Sequence, residues 1–117
     1  MKILVADGYA LSAELVSEIL SGHDCRCCTT IEDAVTFYKK EKPDLLITSM
    51  RVPRRNADAT TGENLRVFNA LDTSLPVIII TGLMADSLEL KDSLNVKAVI
   101  QKPFGKKTLL SAMERFN

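Results

Sequence analysis

The run Val77-Ile78-Ile79-Ile80-Thr81 constrains the fold more than any other stretch. It is β-branched throughout and follows Pro76. A strand with one wet face alternates apolar and polar residues, so an unbroken apolar run predicts a strand covered on both faces. Ile3 to Ala6 and Leu45 to Ile47 have the same continuous character, Val96 to Gln101 predicts a further strand, and Cys25 to Thr29 a weaker one. Between these runs the apolar period changes to that of a helix. Leu11, Leu15, Val16, Ile19 and Leu20 predict a first helix that Gly22 stops. Thr30 with Asp33 gives a helix start with Ala34, Val35 and Tyr38 inward, and Thr60 with Glu63 has capping-box spacing before Leu65, Phe68 and Leu71. A short helix is expected near Ala85 to Leu94, and Leu109, Leu110, Met113 and Phe116 mark a closing one. Strands alternating with helices predict an α/β fold, a doubly wound five-stranded parallel sheet with right-handed crossovers.

The 117 residues suit one domain, able to bury about two-thirds of the surface of its unfolded chain. Fifteen basic residues balance fifteen acidic ones, so no net field draws the chain to nucleic acid or to an anionic membrane. No apolar run approaches the ~20 residues of a membrane span, and Asp7 comes too early to leave room for a secretory h-region. A cytoplasmic location is expected. Cys25, Cys27 and Cys28 follow His23 closely, without the second ligand cluster of a zinc site or the spread pairs of a disulfide framework. They are expected to be reduced residues of an edge strand.

Asp7, Ser49, Thr81 and Lys102 each stand at or just past the carboxyl end of a predicted strand. In doubly wound sheets the binding crevice lies beyond those ends, where the strand order reverses. Four polar side chains from four strands therefore converge on one candidate site. The first strand-to-helix turn, Asp7 to Ser12, lacks both a Gly-x-Gly-x-x-Gly motif and a P-loop lysine, which argues against a nucleotide or flavin site.

These residues resemble the receiver domains of two-component response regulators over nearly the whole chain. The matching segments are Lys2 to Asp7, Lys42 to Ser49 with Pro53 beyond, Pro76 to Gly82, and Gln101-Lys102-Pro103-Phe104, the last being the most specific. The resemblance implies a flavodoxin-like three-layer sandwich with strand order 2-1-3-4-5, and a cis bond at Lys102-Pro103. It also implies a chemistry. A carboxylate ending the third strand takes a phosphoryl group, two acids after the first strand help it hold Mg²⁺, a lysine pairs with the phosphoryl oxygens, and a hydroxyl and an aromatic ring relay the change.

Position by position, Asp7 matches the first acid, Thr81 the hydroxyl and Lys102 the lysine. Gly8 replaces the second acid, Ser49 the phosphoacceptor, and Val99 the aromatic residue. A serine hydroxyl without a neighbouring base is a much weaker nucleophile than a carboxylate, and Mg²⁺ binds poorly to one carboxylate. The expectation is a pseudo-receiver without enzymatic activity, without a cofactor, and with Mg²⁺ binding weak or absent. Lys102 is expected to pair directly with Asp7. The partner would be a signalling protein, such as a histidine kinase or an effector, met as a monomer or weak homodimer; exposed Lys91, Lys106 and Lys107 are candidate contacts. The alternative is a working receiver phosphorylated on Ser49 or on the loop residue Asp58. The 50–61 stretch is unusually long, since Gly62 comes nine residues after Pro53. Its Arg51, Arg54 and Arg55 suggest either a solvated loop or a basic lid over the site.

Overall fold

The computed structural model describes residues 1–82 and 95–114. Its elements are β1 (Lys2–Ala6), α1 (Ala10–Ile19), β2 (Asp24–Cys28), α2 (Ile31–Glu41), β3 (Leu45–Thr48), α3 (Glu63–Leu71), β4 (Pro76–Thr81), β5 (Asn95–Gln101) and α4 (Lys106–Met113). The strands form one sheet in the order β2-β1-β3-β4-β5, and every pairing is parallel. The doubly wound sheet expected from the continuous apolar runs is present. The helix expected near Ala85 to Leu94, with Lys91 on it, lies outside the described residues, as does Phe116.

Strand residues alternate between two apolar layers. Ile3, Val5, Leu45, Ile47, Ile78 and Ile80 pack with Ala13, Val16 and Leu20 of α1 and with Leu109, Ala112 and Met113 of α4. Leu4, Leu46, Val77 and Ile79 pack on the opposite face with Ile31 and Ala34 of α2 and with Leu65 and Phe68 of α3. Both sheet faces are thus covered, which is why the central strands carry no polar alternation. A register shift between Val77 and Ile78 pairs them with Val96 and Ala98, leaving Lys97 as the extra residue. Because a one-residue insertion exchanges the faces, Val96 and Val99 both meet the layer built on Phe68.

Local chemistry explains the helix ends. Thr30 caps α2 by accepting the Asp33 N–H at 3.2 Å, as expected. The capping box expected from Thr60 and Glu63 does not form. Gly62, at φ 80°, is the residue before α3, and it contributes no side chain to cap it. The Glu63 carboxylate is instead bound to Arg54 at 2.7 Å. Helix α1 also differs from expectation: Leu11 and Leu15 face solvent, and Ala13, Val16 and Leu20 make the buried side. Leu71 and Leu110 likewise lie at the exposed margin of their helices.

The three cysteines are free thiols on β2, which stands at the sheet's edge. Cys25 and Cys28 pack against opposite apolar layers, and the Cys27 thiol donates to the Ala13 carbonyl at 3.4 Å. Burial pushes all three thiols up, away from the reactive thiolate.

Candidate functional site

Main-chain bonds at the carboxyl edge of the sheet align the ends of the strands. The Asp7 N–H donates to Cys28 O at 3.1 Å, the Ser49 N–H to Ala6 O at 3.0 Å, and the Lys102 N–H to Thr81 O at 2.7 Å. That register brings Asp7, Ser49, Thr81 and Lys102 to a single cleft of about 240 Å³, whose walls include Tyr9, Met50, Ile80 and Arg51. Asp7, Ser49 and Thr81 are all buried. The four residues picked out by their strand-end positions are therefore neighbours. The Lys102–Pro103 bond is cis.

The charges in the cleft satisfy one another. Lys102 Nζ lies 3.1 Å from Asp7 Oδ2, and the Tyr9 N–H donates to Asp7 Oδ1 at 2.9 Å. Both carboxylate oxygens have a donor, one of them cationic. A buried carboxylate needs such partners, because leaving it unpaired costs several kcal/mol on the order of magnitude of ionic desolvation. The direct pair expected between Lys102 and Asp7 is present.

Ser49 Oγ is engaged with the main chain of Arg51: it lies 3.3 Å from the Arg51 carbonyl and 3.3 Å from the Arg51 N–H. The Arg51 carbonyl also comes against Gly8. A Cβ added to Gly8 would stand 2.8 Å from that oxygen and 3.2 Å from Pro53 Cδ. The loop after β3 thus fills the space a side chain at position 8 would need. It is fastened there by two further bonds, Ile31 N–H to Pro53 O at 2.8 Å and Gly62 N–H to Met50 O at 2.7 Å. Val52, between them, is fully buried.

This donor set does not fit Mg²⁺. The cation favours several hard oxygen ligands, with carboxylates among them. Position 8 offers no carboxylate, Ser49 offers a hydroxyl, and an ammonium already occupies one edge of Asp7. Among the described residues no three His, Cys, Asp or Glu side chains gather to hold a metal.

The arginines do not act together as a lid. Only Arg51 borders the cleft, and its guanidinium reaches the Ala59 carbonyl at 3.5 Å. Arg54 is bound to Glu63 at the start of α3, and Arg55 to Asp33 at the start of α2. The Arg55 N–H also donates to Glu32 at 2.9 Å. That bond holds the Glu32 carboxyl below its ordinary range, and the Arg55 guanidinium does the same for Asp33. These contacts fold the 50–61 stretch down onto two helix starts. Asp58 lines the adjoining hollow with Gly8 and Pro53 rather than the cleft with Ser49.

One contributor was not legible beforehand. Asn64, on the first turn of α3, is buried and donates through Nδ2 to Thr48 Oγ1 and to the Ser49 carbonyl, both at 2.8 Å. It fixes the chain that carries Ser49. Its polar character inside an apolar helix face was the available signal.

The parallel sheet in this order, with its polar cluster beyond β1, β3, β4 and β5, has the fold of the receiver domains of response regulators in two-component signalling. NtrX from Brucella abortus matches at 25% identity over 97% of this chain and 26% of its own, with a TM-score of 0.83. This chain therefore spans about a quarter of that protein. The chemotaxis response regulator CheY4 of Vibrio cholerae matches at 20% identity over 99% of this chain and 98% of its own, with a TM-score of 0.80. A response regulator receiver domain protein from Clostridium thermocellum matches at 20% identity over 99% and 94%, with a TM-score of 0.78. No family model matches the sequence, and no curated protein does.

Proposed function

We propose that this chain is a receiver-like protein-interaction module of a two-component or phosphorelay pathway, one that works without being phosphorylated and catalyses no reaction. The observation that carries this reading is the pairing of Lys102 with Asp7 beside a serine in place of the phosphoacceptor. A lysine that is to receive phosphoryl oxygens must offer them its charge; here that charge is matched by the carboxylate next to it. Among the described residues no histidine stands beside Ser49 to activate it. The single histidine, His23, sits against the N-terminal amine of Met1, where β1 begins rather than where it ends. Restoring an acid at position 49 leaves the gap at position 8, which the Arg51 carbonyl blocks.

The same reading assigns partners. A histidine kinase or an effector protein fits the fold, and exposed Lys106 and Lys107 at the start of α4 offer basic contacts. Val99 packs into the Phe68 layer, so no ring is available at that position to swing in and out with a signal. No helix among the described residues is long and apolar enough to cross a membrane.

Incubation with Mg²⁺ and acetyl phosphate, followed by intact-mass measurement, tests the reading. The mass should stay constant. A stoichiometric phosphoryl adduct mapped to Ser49 or Asp58 would establish a phosphorylatable receiver instead.

A further inference from the structure

Helix α1 presents apolar side chains on two sides. At about 100° per residue, Leu11 and Leu15 project nearly opposite the buried Ala13 and Leu20. Leu11 is 81% exposed and Leu15 44%, and Tyr9 just before the helix is 75% exposed. Beside this stripe runs a groove of about 380 Å³, bounded by Ser12, Leu15, Lys102, Pro103 and Phe104. Scattered exposed leucines need no explanation, but a continuous apolar strip beside a largely apolar groove marks a surface that something covers.

The rims of this face differ in charge. Glu14 and Glu18 project on the flank of the stripe away from Ser12 and the groove. Lys106 and Lys107 open α4 just after Phe104, which lines the groove. All four are exposed, and none forms an ion pair among the described residues. One edge is therefore acidic, the other basic, and the strip between them apolar.

We propose that a second copy of this chain docks on this face, with the two-fold axis running along α1. Such an axis lays the two α1 helices parallel and sets the acidic rim of each copy against the basic rim of the other. A two-fold axis across α1 would set acid against acid and base against base, which costs binding energy. A zero net charge removes the long-range repulsion that otherwise keeps identical copies apart. The strip is small beside a standard interface of about 1,600 Å², so the dimer is weak, with a Kd of about 10 μM to 1 mM. The proposal adds a named partner to the interaction-module reading but does not depend on Ser49 being silent: a phosphoryl adduct would leave it untouched, and a monomeric chain would leave the phosphorylation argument untouched.

Sedimentation equilibrium across concentration and salt tests it. The wild type should dimerise reversibly, and more weakly as salt rises. Leu11→Asp, at a position already in water, should abolish the dimer while circular dichroism stays unchanged. Glu14→Lys/Glu18→Lys, with both rims basic, should weaken self-association about tenfold or more; Lys106→Glu/Lys107→Glu, with both rims acidic, should do the same. Mixed one to one, the two charge-swapped variants should form a heterodimer, since each contact again joins acid to base. A chain that stays monomeric at about 1 mM, or a dimer indifferent to Leu11→Asp, overturns the proposal. Swapped variants that fail to pair with each other overturn the axis.

Discussion

Replacing Gly8 by alanine probes the contact that most separates this site from a metal-binding one. The added methyl would lie 2.8 Å from the Arg51 carbonyl oxygen and 3.2 Å from Pro53 Cδ. The first distance is shorter than such contacts allow, so the loop must move. It is held by Ile31 N–H to Pro53 O, by Gly62 N–H to Met50 O, and by Val52, which is fully buried. Overpacking a fixed site costs about 1–3 kcal/mol. Displacing Arg51 also disturbs the Ser49 bond to its carbonyl, worth about 1 kcal/mol. The lower entropy of the unfolded alanine chain returns about 0.4–1 kcal/mol. Gly8→Ala should therefore be less stable by about 1–4 kcal/mol. Urea unfolding should show a lower midpoint at unchanged slope, and the Tm should fall by about 4 °C or more per kcal/mol. Gly22→Ala is the control. Nothing lies within 4 Å of its added Cβ, so the entropy term alone should leave stability equal or slightly higher. A Gly8→Ala protein as stable as wild type would refute the account of the loop as a plug at position 8.

Two further outcomes follow from the ion pairs. Lys102→Ala leaves the buried Asp7 with only the Tyr9 N–H, and should cost about 1–3 kcal/mol in urea unfolding, part of it recovered in the Asp7→Asn/Lys102→Ala double variant; an unchanged midpoint would show that the pair contributes nothing. Glu32 and Asp33 have lowered folded-state pKa values, from ordinary values of 4.5 and 3.8, so their hold on the loop is complete above those values and is lost as pH falls through the lower folded ones. Hydrogen exchange of peptides spanning 51–62, corrected for intrinsic rate, should show constant protection from about pH 7 to 5 and a decline below about pH 4. Protection that persists to about pH 2 would mean that other contacts hold the loop.

The close approach at Gly8 bears on whether position 8 can carry an acid. Deleting one carboxylate removes a ligand, yet the site could regain it by a single substitution. Here the Arg51 carbonyl oxygen stands 2.8 Å from where a Cβ at position 8 would lie, and Ser49 is tied to that same main chain. Placing acids at positions 8 and 49 together would require the Arg51–Pro53 segment to shift. Its clasp on α2 and α3 opposes that through Arg54, Arg55 and two main-chain bonds.

The sequence by itself determined the layers and the place of the site. Short continuous apolar runs rich in β-branched residues read as strands buried on both faces, and in a parallel sheet every strand's last residue reaches the same edge, so Asp7, Ser49, Thr81 and Lys102 were legible as neighbours. Thr30 was legible as a cap because its bond spans only three residues. Tertiary structure alone decided which side of α1 is buried. Leu11, Leu15, Val16 and Leu20 put apolar groups on both sides of that helix, and only docking on the sheet selects the side of Val16 and Leu20. It also decided that Gly62, not Thr60, starts α3, that Asn64 anchors Ser49, and that Arg54 and Arg55 serve as fasteners. Most of these contacts join residues far apart in the chain. Hydrophobic period encodes a direction relative to the local axis, and it carries no information about which distant group will meet the side chain there.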